Sequence, residues 1–205
     1  AFDRPRDVFK FVTLAGLVAT AISPSIGVTS LCLGGFASWS EYGRMWLTWW
    51  LGDAGGAVVV APVILLWANR PLLDWTRAQQ LEAAGLLATI IGVGAIAFGD
   101  LLAPPGGERS LSFLCIPPTI WAAFRFGRRV TATSVLILSG IAVWATVRGM
   151  RPFPNQENAS LVLLQLFMGV VSLTSLALAA VVSQRRRAQV ELARQAAELA
   201  RSNAE

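Results

Sequence analysis

The sequence contains no histidine. That removes the commonest general base at neutral pH, most zinc sites and histidine ligation of haem. Cysteine is nearly absent as well. Cys32 and Cys115 fall in separate apolar runs, where they read as small buried hydrophobes rather than a disulfide pair. Charge is scarce: Asp, Glu, Lys and Arg make up 14% of the 205 residues, against about 25% in a soluble domain. No GxSxG elbow occurs and no apolar run holds paired carboxylates, so no nucleophile–base or two-acid machinery is visible. No Lys/Arg-rich face interleaved with aromatics points to nucleic acid. No motif points to a cofactor, and none is expected.

What is present is apolar. Hydrophobic residues make up 55% of the chain and the formal net charge is +5. The mean hydropathy is +0.58. The charges gather between long apolar runs, which is the pattern of a polytopic membrane protein. The expected fold is an all-α transmembrane bundle of about six spans, with the lipid bilayer as its first partner. The basic excess then concerns orientation in the membrane.

The run around which the others are arranged is WLTWWLGDAGGAVVVAPVILLW, Trp46 to Trp67. It matches a hydrocarbon core of roughly 30 Å. It holds one carboxylate, Asp53, among Gly52, Ala54, Gly55, Gly56 and Ala57, small residues that let another helix approach closely. A charge inside a span is costly unless it meets a partner, water or the bundle interior, which makes Asp53 a candidate for signal reception. The alternative places it near the interface, ionised and partly wet. Trp46, Trp49, Trp50 and Trp67 suit the two interfacial levels. Trp49 and Trp50 also stand where an aromatic pocket beside Asp53 would be. Pro62 is a candidate bend.

The other runs follow in order. Phe9–Leu33 is a span with a local break expected at Pro24, where Ser23 and Ser25 can satisfy freed backbone groups. Asn69, Arg70 and Pro71 stop the Trp46–Trp67 span. Residues 71–82 form an amphipathic lead-in to a third span at roughly Ala83–Phe98, which a turn at residues 104–109 closes. Leu111–Phe124 is short and holds Pro117 and Pro118 near its middle, so it reads as a broken span or a re-entrant piece. Val130–Val147 is the fifth span, a polar loop follows at residues 155–158, and Leu161–Val182 is the sixth. Gln165 is the polar residue of that last span and a further candidate, although such groups often only hydrogen-bond a neighbouring helix.

From residue 184 to 205 the chain is polar and helix-forming. Leu192, Ala196 and Leu199 follow coiled-coil spacing, with polar Gln189 and Asn203 at the flanking positions of the seam. Two units are therefore expected: an integral membrane domain over 1–183 and an outgoing, coiled-coil-like linker helix over 184–205. The other reading of the tail is a solvated helix. Six spans put both termini on one side. Arg4, Arg6, Lys10, Arg70, Arg77, Arg125, Arg128, Arg129, Arg185, Arg186 and Arg187 then share that side, against Arg44, Arg109, Arg148 and Arg151. The positive-inside rule makes it the cytoplasm and makes the arginines of 125–129 and 185–187 topology anchors.

Three blocks carry a resemblance: WLTWWLGDAGGAVVVAPVILLW at 46–67; PPTIWAAFRFGRRV at 117–130 with AVWATVRGMRPF at 142–153; and LLQLFMGVVSLTSLALAAVVSQRRRAQ at 163–189. In this order they resemble the first described type of the membrane-associated sensor domain of bacterial signalling proteins. The matching positions are Trp49, Trp50, Gly52, Asp53, Pro62, Pro118, Trp121, Arg125, Phe126, Gly127, Trp144, Gly149, Pro152, Phe153 and Gln165. The family usually has about eight spans, so this chain is expected to begin after the first two. The resemblance implies a sensory role in the bacterial inner membrane, not an enzyme. It also implies a covalently linked cytoplasmic output domain (a histidine kinase or a cyclic-di-GMP enzyme) and a ligand or membrane-derived signal of unknown identity. Trp121 joins the reception candidates and Pro118 the hinge candidates on this ground. A homodimer through the outgoing helix is expected. The competing readings are a small transporter component, compatible with span prolines and a membrane carboxylate, and a passive anchor.

Overall fold

The computed structural model describes residues 4–68, 75–99, 111–148 and 157–202. Among them all regular structure is helical. The expected stop at Asn69–Pro71, the turn at 104–109, the loop at 155–156 and the motif positions Gly149, Pro152 and Phe153 lie outside the described residues.

Helix α1 runs over Pro5–Leu33. It is α-helical at both ends but changes to a π-helix over Val12–Val18 and a 3-10 turn over Ala19–Ala21. The break expected at Pro24 is present, just upstream of it. Proline lacks an N–H and its ring crowds the carbonyl four residues back, so regular winding fails there. Ser25 Oγ donates to the Ala21 carbonyl at 2.6 Å, as its position suggests. Gly35, at φ 76°, ends the helix, and the Phe36 N–H closes back onto Leu31 at 2.9 Å.

Helix α2 is Tyr42–Trp67, 26 residues, and passes through the buried Pro62 without a break. The missing N–H of Pro62 leaves the Val58 carbonyl without its helical donor. Ser172 supplies one: its Oγ donates to Val58 O at 3.0 Å. Helix α3 is Arg77–Phe98 and begins earlier than Ala83, because Thr76 and Gln79 form a reciprocal capping box.

The fourth run differs from its expectation. A 3-10 turn, Ser112–Cys115, leads into helix α4, Ile116–Arg125. Pro117 and Pro118 lie in the first turn of α4, where a missing N–H removes no intrahelical bond, so they start this helix rather than break it. Its 10 residues rise about 15 Å, half of a hydrocarbon core. Phe126 and Gly127 alone join α4 to helix α5, Arg128–Val147. Gly127 has φ 77°, a value that side chains with a Cβ rarely adopt.

Helix α6 is a single helix of 46 residues, Glu157–Ser202. The boundary expected at 183/184 is not a break in it. Every residue from Gln184 to Arg201 is exposed. Over Leu161–Arg201 the helix holds a stretch long and apolar enough to span a membrane. Five such helices exist among the described residues, α4 being too short to count. The expectation of about six spans thus becomes five long apolar helices plus one short one.

Contacts set the directions. Val8 packs with Leu66, Ala132, Leu176 and Ala180. Thr29 meets Tyr42 at 3.0 Å, so α1 and α2 are antiparallel. Arg125 at the end of α4 meets Glu82 near the start of α3, and Phe98 at the end of α3 meets Phe167 at 6.0 Å. One end of the bundle therefore gathers Val8, Leu66, Glu82, Arg125, Arg129 and Ala180. The other gathers Trp39, Tyr42, Phe98 and Phe167. The main core lies between α3, α4, α5 and α6, around Leu86, Ile90, Val135, Leu138, Leu164 and Val171. Cys32 and Cys115 are both free and buried.

Candidate functional site

Helices α2 and α6 run parallel and touch along their lengths. Gly52 faces Gln165, Val58 accepts from Ser172, and Leu66 packs with Leu176 and Ala180. On α2 the seam follows Gly52, Gly55, Val59, Pro62 and Leu66, spaced three and four residues apart as two parallel helices require. Gly55, Val59, Pro62 and Leu66 are buried. A Cβ at Gly52 would lie 3.2 Å from Gln165 Nε2, so this glycine sets the spacing of the helices at that level. A Cβ at Gly55 or at the exposed Gly56 would meet nothing within 4 Å.

Two polar groups stand at the upper part of this seam. The Gln165 Oε1 is buried and has no hydrogen-bond partner among the described residues. A buried acceptor left so costs about 1–3 kcal/mol. Asp53, the next residue after Gly52, is half-buried, and no hydrogen bond or ion pair reaches it among the described residues. Its flank of α2 is the outward one, shared with Trp49 (40% exposed), Val60 and Ile64. The pairing of Asp53 with Arg125 considered from sequence is not formed. Arg125 Nε instead donates to Glu82, at 2.7 and 2.8 Å to its two carboxylate oxygens.

The tryptophans before Asp53 are tied to α1. Trp46 Nε1 donates to Ser25 Oγ at 2.9 Å and Trp50 Nε1 to the Leu17 carbonyl in the π segment at 2.9 Å. Their rings stack at 5.5 Å. Trp49 lies against Gly27, where a Cβ would come within 2.6 Å of its ring. Its other side borders a cleft of about 340 Å³ with Leu31, Arg44, Met45 and Thr48. Replacing Trp50 by Phe keeps the ring stack and removes one indole bond. We expect a loss of about 1 kcal/mol, read as a lower melting temperature in detergent, with Trp46→Phe similar and the double variant roughly additive.

Trp121 stands elsewhere, at the arginine-rich end. Its side chain lies near Glu82, beside the Arg125 ion pair. Arg129 Nε donates to the Leu66 carbonyl at 3.0 Å and so caps α2. Its guanidinium lies 5.4 Å from the Trp67 ring centre, and Trp67 Nε1 donates to Thr133 Oγ1 at 3.1 Å. Arg186 donates to the Phe124 carbonyl, Arg128 and Arg187 also have partners, and Arg185 is exposed. Pro118 is buried in the first turn of α4. Glu82 was missed in the sequence because it closed a stretch read as interfacial; its signal was an acid at the head of one apolar run opposite FRFGRR in another. Glu82→Arg alone should lower the melting temperature, and adding Arg125→Glu should restore much of it by reversing the pair.

The arrangement is a parallel two-helix seam with polar groups near one end and an arginine-rich collar at the other. Such a geometry can carry a displacement from end to end. The sequence model of the MASE1 family matches residues 1–186. No curated protein and no solved structure matches the chain. With nearly its whole length matched and a bundle of long apolar helices to go with it, the chain belongs to the MASE1 family of membrane sensor domains.

Proposed function

We propose that this domain is the input half of a bacterial signalling protein and that α6 is its relay. A signal received at the Trp39–Phe98 end biases the pose of α6 against α2. The change passes through Arg185–Arg187 to a cytoplasmic output domain, a histidine kinase or a cyclic-di-GMP enzyme. The observation that carries this reading is the continuity of α6. It is mated to α2 within the bundle and continues without a break into a fully exposed helix. A ligand shifts such a balance only by binding one pose better than the other.

The orientation follows from charge. Arg4, Arg6, Lys10, Arg77, Arg125, Arg128, Arg129 and Arg185–Arg187 lie at one end, with Arg44 and Arg148 at the other. The rich end is the cytoplasmic one. Because α3 ends far from it, and α4 ends and α5 begins at it, α4 belongs to a sixth crossing. Gln165 and Asp53 are the reception groups; Trp49 and Trp50 hold the α1 side of the site. Trp121, beside Glu82 and Arg125, helps fix the cytoplasmic end of α4 against α3. Leu192, Ala196 and Leu199 form the seam on which two copies pair, Leu192 and Leu199 each being 65% exposed on one chain. Insertions of graded length after Val182, with an output domain attached, test the relay: a tether is indifferent to helical phase.

A further inference from the structure

A serine or threonine inside a helix often turns its hydroxyl back onto the carbonyl four residues earlier. Ser25, Thr89 and Thr146 do so. Ser172 does not. It is 1% exposed, and its hydroxyl crosses to another helix, to the Val58 carbonyl of α2. That carbonyl is open to it because Pro62, four residues on, has no N–H to offer. Without Ser172 the carbonyl has no water to turn to, and leaving it bare is costly. Val58 also meets α1: a Cβ on the buried Gly16 would lie 2.8 Å from Val58 Cγ2. Three helices therefore meet at one residue of α2. The contact with α6 is a bond to backbone, which sets the height of α6 as well as its distance.

On the outer side of this waist lies the Gly52–Gln165 contact. On the cytoplasmic side α6 is buried at Leu176, Ala179 and Ala180, two of them small residues that let backbones approach. We propose that the Ser172–Val58 bond is a fulcrum. It stops α6 from sliding, so α6 answers a change at its outer end by tilting about this point, and its cytoplasmic end swings the opposite way. Ser172 is then a positioning residue of the relay, and Pro62 frees its acceptor. This deepens the reading of α6 as a relay and rests on it. Along α6, Leu161 lies about 16 Å from Ser172 on one side and Val181 about 14 Å on the other. The two displacements should therefore be nearly equal and opposite.

The test measures spin-label distances in the full chain in nanodiscs, with Cys32 and Cys115 replaced by alanine. Leu47→Cys with Leu161→Cys reads α2 against α6 at the outer end. Leu65→Cys with Val181→Cys reads it at the cytoplasmic end; all four positions are exposed. Gly52→Val wedges the outer end, with Gly52→Phe as the bulkier wedge where valine leaves the outer distance unchanged. The outer distance should rise and the inner one fall by a similar amount. Ser172→Ala should remove the inner change, and Ser172→Thr, which keeps the donor, should retain it. Pro62→Ala returns a helical donor to Val58, so the loss of melting temperature on Ser172→Ala should be at most half as large in that background. An inner distance that rises with the outer one, or stays fixed, overturns the fulcrum whatever the output does. An inner change that survives Ser172→Ala, or equal melting-temperature losses in the two backgrounds, overturns the assignment to Ser172. Opposed distances here with a flat output in the insertions after Val182 would instead end the relay reading and leave the fulcrum standing.

Discussion

Two residues inserted after Val182 should abolish or invert the response of an attached output domain, and seven should restore it. Each residue adds about 100° of helix, so two turn everything downstream by about 200°, whereas seven return it to within about 20° of the start. The insertion point lies at the end of the buried surface of α6, since Val182 and Ser183 are its last half-buried residues and all that follow through Arg201 are exposed. The buried packing upstream is therefore kept, the Arg186 bond to the Phe124 carbonyl is displaced, and the phase between input and output changes. The readout is kinase or cyclase activity across insertions of one to seven residues, at constant expression. Activity that follows the helical period supports a relay that depends on the facing of α6. Activity that is flat across the series means that the domain only anchors its partner, and the proposal fails. Leu192→Ser with Leu199→Ser is a useful companion. If the exposed seam joins two copies, this pair should weaken dimerisation and flatten the output at every insertion length.

Much of the bundle was legible because apolar length is a direct physical signal: a run of about 20 apolar residues has few alternatives to crossing a bilayer. Five of the six runs became long helices, and the tryptophans at 46, 50 and 67 all use their indole N–H, the polar handle of an otherwise apolar ring. The break before Pro24 was legible for the same kind of reason, since a missing donor has local consequences. Leu111–Phe124 was harder. Proline in the middle of an apolar run reads as a breaker, but the same residue in a first turn is favourable. Which applies depends on where the helix starts, and the 3-10 turn at Ser112–Cys115 decides that. The site was legible in its residue types and not in its pairing. Arg125 had to choose between Asp53 and Glu82, and the direction of α4 relative to α3 made the choice. That α2 and α6 run parallel was implied by counting crossings; that Gly52 faces Gln165 and that Ser172 fills the gap left by Pro62 required the register of the two helices.

That register makes Gln165 the most informative single position. Its Oε1 is buried without a donor among the described residues, so Gln165→Leu should stabilise the unliganded domain, by about 1–3 kcal/mol less whatever the lost Nε2 contacts contribute. If Gln165 receives the signal, the same change should remove the response while raising the melting temperature. Stability and signalling would then move in opposite directions, a result that packing alone does not produce. Gly52→Val works from the other side of the contact. A Cβ there lies 3.2 Å from Gln165 Nε2, and the two further methyl groups of valine must displace the carboxamide or part the helices. An overpacked site of this kind costs about 1–3 kcal/mol. The output should be locked in one state, whether or not signal is present. Combining Gly52→Val with Gln165→Ala separates the two effects: the smaller side chain relieves the overpacking, so stability should recover, but the response should remain absent because the polar group is gone. A normal response in Gln165→Leu would remove this residue from signal reception and leave Asp53, on the outward flank of the same helix, as the group to test next.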